Sequence, residues 1–121
     1  MKATKTYKWT PEDFLKSINI IRIQTKLPKI TPNESITKYA KSLSSKKPIK
    51  WKDNDQFVTI SNMNFTEILD ENKSADLIVS SWMNSSSRRP VILAPGDSGA
   101  IVFSEHKNNT YVSVVIMSFF K

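Results

Sequence analysis

Three stretches of the chain carry residue types that could do chemistry. Gly96-Asp97-Ser98-Gly99 sets a serine between two glycines, where its hydroxyl could act as a nucleophile if a base removed the proton. Arg88 and Arg89, at the end of a helix-like segment, could contact an anion or simply offset the negative C-terminal end of that helix, and the sequence leaves both readings open. Lys46, Lys47, Lys50 and Lys52, interleaved with Ile49 and Trp51, form a candidate anion-binding strip in which Trp51 adds a flat apolar contact.

The serine lacks partners. Its motif resembles the nucleophile motif of trypsin-like serine proteases, but those enzymes place a histidine and an aspartate earlier in the chain and run over two β-barrels. Here the sole histidine, His106, follows the serine, and 121 residues are too few for two barrels. A turn entering a strand is the plainer reading, which Pro95 and Gly96 suit. His106 sits in EHKNN, by composition a solvated hairpin tip. No nucleophile and base can be paired, so no enzyme is expected. No nucleic-acid-binding motif accompanies the lysine strip, so DNA or RNA is a weak reading, and heparin-like glycans or anionic lipid headgroups stay open for an exported protein.

These residues need a frame, and 121 residues suffice for one domain with its own core. Zero cysteines remove any disulfide or thiolate metal site. No apolar run approaches a membrane span, and MKATKTYKW has no signal-peptide core. The net charge of +7 is lopsided: residues 1–52 hold 13 basic and 3 acidic side chains, and the remainder 5 and 8. A basic half attracts anionic partners but is more often a solvated face. Abundant Lys, Asn, Ser and Ile with scarce Gly read as AT-rich codon usage, which suits a spirochaete or similar bacterium.

Thr10-Pro11-Glu12-Asp13 opens a helix over about 11–25, with Thr10 as cap, Pro11 at the first position and Phe14, Ile18 and Ile21 on its buried face. Thr31-Pro32-Asn33-Glu34 repeats the device, with Thr31 as cap, Glu34 closing a capping box, and Ile36, Tyr39, Ala40 and Leu43 as one stripe. Residues 57–65 are compatible with an irregular strand. Ser74 caps a third helix with Ala75, Ile78, Val79 and Trp82 inward, ended by the run 85–90. Two further strands cover 100–104 and 111–120, joined by a polar turn. The last is apolar at nearly every position, so both its faces are covered and it sits centrally. The expected fold is α+β, a three-layer α-β-α sandwich with a small antiparallel sheet between helices. Residues 1–9 are read as a flexible tether and residues 10–121 as one domain.

The stretch WMNSSSRRPVIL, residues 82–93, resembles the WMNSPGHRANIL signature of the CAP superfamily, the cysteine-rich secretory, antigen 5 and pathogenesis-related proteins and their small bacterial relatives. Asn19-Ile20-Ile21-Arg22 resembles the family's HNxxR helix, and Leu27-Pro28-Lys29-Ile30 with Asn33, Ile36 and Tyr39-Ala40 its LPPL, N, L and YA series. Gly99 to Val102 and Tyr111 to Phe119 are similar to its last two strands. The similarity runs in order over about residues 11–120. No single motif is specific, but the ordered set is.

The resemblance implies a CAP-like fold in which Asn19, Arg22, Trp82 and Arg89 are structural. It also implies a cavity where the best-known members hold a divalent metal on two histidines and two glutamates. Here the matching cavity positions are Ile18, Asn62 and Arg88. With no histidine and an added cation, no metal and no cofactor are expected. The function so implied is an extracytoplasmic, non-enzymatic binding protein, expected as a monomer, and where the composition is that of a spirochaete the expected arrangement is a Borrelia-type outer-surface lipoprotein tethered by a lipid outside this sequence. Its partners would be lipid or sterol, or host extracellular molecules. A residual hydrolase and a surface antigen without a small ligand are the alternatives.

Overall fold

The computed structural model describes residues 8–43 and 58–120. In chain order the elements are α1 (Pro11–Gln24), β1 (Thr31–Pro32), α2 (Glu34–Ser42), β2 (Val58–Ile68), α3 (Ala75–Met83), α4 (Arg89–Ile92), β3 (Ser98–His106) and β4 (Asn109–Phe120). The strands form one sheet in the order β1-β3-β4-β2. Helices α1, α3 and α4 cover one face and α2 the other, so the α+β sandwich of three layers is present.

Local chemistry sets the helix ends. Thr10 caps α1 in a reciprocal box with Asp13, whose carboxylate accepts from the Thr10 amide at 2.7 Å. At the other end, the Leu27 amide reaches back to the Arg22 carbonyl at 2.7 Å and the Lys26 amide to that of Ile23 at 3.0 Å, the Schellman closure, with Lys26 at φ 63° in the place glycine usually takes. The chain is thereby turned back along its own helix. Ser74 caps α3 by accepting from the Leu77 amide.

Helix α2 departs from expectation. Its cap is Asn33, which accepts from the Ile36 amide at 3.0 Å, and Thr31 is no cap at all. Thr31 and Pro32 instead form β1, pairing in parallel with Ser98 and Gly99, so the sheet is mixed rather than wholly antiparallel. The Thr31 amide donates to Asp97 and the Asn33 amide to Gly99. Long-range pairing therefore overrides a local cap signal. The run after α3 also contains more than a stop, because Arg89-Pro90-Val91-Ile92 winds a further short helix with Pro90 in its first turn.

Strand β4 lies between β3 and β2, antiparallel to both, as its nearly continuous apolar run predicts. Lys107 and Asn108, at φ 50° and 66°, join β3 to β4 in a two-residue turn of the kind that suits strand twist. One core packs Phe14, Ile18, Val79, Trp82, Ile92, Val112 and Val114 between the sheet and α1, α3 and α4. The opposite core packs Ile36 and Ala40 on Ala100, Val102, Val115 and Met117. Trp9, assigned by sequence to a tether, is buried against Phe14 and Phe103, and its indole donates to the Lys73 carbonyl at 2.9 Å. The packed domain therefore includes Trp9.

Both glycines of the chain are needed where they stand. Gly96 has φ 135°, and a Cβ there would sit 2.4 Å from the Met117 carbonyl oxygen. A Cβ on Gly99 would lie 2.5 Å from the Val115 carbonyl oxygen and 2.8 Å from the Ile30 side chain. The glycines of the serine motif thus serve close backbone approach at the start of β3.

Candidate functional site

Alternation along β2 turns Met63, Phe65 and Glu67 toward α1 and α3 and turns Asn62, Asn64 and Thr66 toward the α2 face. Glu67 is a carboxylate on an otherwise apolar row. Trp82, the last buried residue of the α3 stripe, donates its indole N–H to Oε2 of Glu67. Arg88 Nε lies 3.1 Å from Oε1 of the same carboxylate, an ion pair whose N–H is not aimed along the hydrogen-bond direction. Its Nη1 donates to the Ser85 and Ser87 hydroxyls at 3.3 and 3.4 Å, and its guanidinium lies over the Phe65 ring, 5.9 Å from the centroid. Phe65 meets Trp82 edge-on at 4.9 Å.

The turn after α3 builds the arginine's position. The Ser85 hydroxyl accepts from the Arg88 amide at 3.3 Å and the Ser85 carbonyl from the Arg89 amide at 2.9 Å, which swings Arg88 back over β2. Both Glu67 oxygens are then engaged, one by an indole and one by a cation. A metal ion at this carboxylate would have to displace the indole or the guanidinium. The side chains of Arg88 and Glu67 remain 33% and 25% exposed, so an outside molecule can still reach the pair.

Arg22 and Asn19 occupy a different setting. Arg22 is fully buried and gives its N–H groups to four carbonyls: Pro28 at 2.8 Å, Ile92 at 2.9 Å, Ala94 at 2.8 Å and Gly96 at 2.7 Å. Burial pushes its pKa down from the ordinary value, though a guanidinium stays charged at neutral pH. Asn19 clamps Ile30 from both sides, accepting from its amide at 2.7 Å and donating to its carbonyl at 3.2 Å. Together they fix the α1–β1 loop and the α4–β3 loop, and neither is available to a ligand.

The three cavity positions taken from sequence do not come together. Ile18 is 1% exposed within the core. Asn62 lies across the sheet from Arg88, donating to the Tyr39 hydroxyl at 3.3 Å, because its even position on β2 faces α2. Of the three, Arg88 alone stands at a reachable polar cluster, and its partner Glu67 is one that sequence reasoning missed. An acidic residue two and four places after Phe65 and Met63 on an alternating strand was the available signal. Trp82 belongs to the cluster. Arg89 is exposed, with no side-chain hydrogen bond or ion pair among the described residues. Lys46, Lys47, Lys50, Trp51 and Lys52 lie outside the described residues.

Ser98 opens β3 and His106 ends it, about 26 Å apart at the usual rise of a strand. The Ser98 hydroxyl donates only to neighbouring Asp97, at 3.3 Å. The serine motif and the histidine cannot share a site. Among the described residues, no three His, Cys, Asp or Glu side chains cluster to hold a metal ion, and no helix is long and apolar enough to cross a membrane.

The architecture defines a small α+β sandwich whose mixed sheet is closed by a buried arginine at one end and carries a partly exposed Glu67–Arg88 pair. Its fold is similar to that of an outer surface protein from Borrelia burgdorferi, with a TM-score of 0.67 over 95% of this chain and 98% of that one, at 15% sequence identity. At that identity the likeness is one of fold. No protein-family model matches the chain, and no curated protein sequence matches it.

Proposed function

We propose that this chain is a non-enzymatic, surface-displayed binding protein of the CAP-like kind, in which a built-in cation stands where the family holds a metal-binding histidine. The observation that carries the reading is Arg88 set 3.1 Å from Glu67, beside Trp82 and Phe65. The pair sets a solvent-reachable charged donor over the half-buried Phe65 ring, with Trp82 buried beneath the carboxylate, an arrangement suited to the anionic or hydroxylated head of a ligand such as a fatty acid or sterol. The CAP part of the reading rests on the ordered sequence motifs. The surface location is supported by the outer-surface name of the similar Borrelia protein.

The test is native mass spectrometry of the protein taken from its own cells, with extracted lipids identified in parallel. A stoichiometric lipid or sterol that is lost in Arg88→Ala, while the circular dichroism of that variant is unchanged, supports the reading. An empty protein, or a ligand retained by the variant, contradicts it. Protease treatment of intact cells checks location: cleavage without lysis is expected, and protection until lysis argues against surface display.

A further inference from the structure

Strand β3 has an outer edge that β1 covers only at Ser98 and Gly99. The carbonyls of Asp97 and Gly99 accept from β1 and from Asn33, so odd-numbered residues of β3 direct their backbone groups outward. The two-residue turn at Lys107 and Asn108 gives the same parity, since His106 and Asn109 then exchange hydrogen bonds and the even residues of β3 face β4. Ile101 thus points its N–H and C=O away from β4. Asn33, the next residue after β1, turns its carbonyl into α2, where it accepts from the Thr37 amide. Among the described residues nothing pairs with the outward groups of Ile101.

A groove of about 350 Å³ runs along this edge, floored by the consecutive residues Gly99 to Phe103. One wall is α1, with Leu15 and Glu12, and the other is α2, with Thr37 and Lys41. Glu12 and Lys41 are exposed, and neither has an ion-pair partner among the described residues. A groove with a donor and an acceptor spaced as in a strand, opposite charges on its two walls, and an apolar floor matches a polypeptide in extended form. Successive side chains of such a strand point to opposite walls.

We propose that the β3 edge groove docks an extended peptide segment of a partner protein, which pairs its backbone with Ile101 and presents basic side chains to Glu12 and acidic ones to Lys41. The inference does not depend on the Arg88 site, which lies toward β2 at the far side of the sheet.

The probe is a blocked hexapeptide, Thr-Lys-Asp-Val-Asp-Val, titrated into the ¹⁵N-labelled protein to about 2 mM, within reach of a weak strand contact. Amide shifts centred on Gly99 to Phe103 and on α2 are expected. Methylating the peptide nitrogens that face Ile101 should weaken binding about tenfold per lost hydrogen bond. Lys41→Glu, on an exposed position, should weaken it about three- to fivefold, and exchanging Asp for Lys in the peptide should restore it. No shifts at Gly99 to Phe103, or equal binding of the methylated peptide, would overturn the proposal. So would slow hydrogen exchange of the Ile101 amide without peptide, which means the chain fills its own groove. Shifts there that grow with protein concentration alone point to a second copy and equally overturn it.

Discussion

Two arginines divide the labour of this fold. Arg22 is fully buried and faces four backbone carbonyls, whereas Arg88 is a third exposed and faces one carboxylate, two hydroxyls and a phenyl ring. Carbonyls on two chain segments cannot move to water when the first is removed, so its loss orphans them together. The partners of the second can rehydrate where they stand. Both arginines stand in motifs that the sequence singles out, yet one holds loops and the other stays reachable from solvent. What separates them is the mobility and solvent access of the partner groups.

Substitutions can break or sharpen that contrast. Arg22→Met keeps volume and removes every donor, and should cost about 3–5 kcal/mol, a large part of the total for a small domain, read as a collapse of the urea midpoint or failure to fold. Arg22→Lys should recover only a fraction, since one ammonium cannot span four acceptors. Gly99→Ala forces a methyl onto the Val115 carbonyl and Ile30, for about 1–3 kcal/mol. Trp82→Phe retains the ring against Phe14 and Phe65 but drops the indole donor to Glu67, for about 1 kcal/mol. Arg88→Ala should cost no more than about 1 kcal/mol, because its partners are solvent-accessible. A loss on Arg88→Ala equal to that of Arg22→Met would erase the distinction.

The sequence carried the frame where the signal was local. Thr10-Pro11-Asp13 and Ser74 are caps that act within four residues, and the stripes ending at Ile21 and Trp82 are the faces that pack. The nearly continuous apolar run of β4 announced a central strand. What stayed hidden depends on distant residues. Thr31 and Pro32 read as a helix start because their partners, Ser98 and Gly99, lie more than sixty positions away. Motif order sets Asn62 beside Arg88, but a strand's period of two sends it to the opposite face and brings Glu67 instead. The two glycines read as a turn motif, while their necessity comes from the carbonyls of β4.

The most direct test of the central claim, that Arg88 and Glu67 have closed the site to metal and left it to binding, is calorimetric unfolding with zinc chloride and with EDTA. The account predicts a melting temperature unchanged in both, within about one degree, since a native state that binds no metal gains nothing from it. A rise of several degrees on zinc that EDTA reverses would contradict it, because only a native state that binds the ion is stabilised in that way.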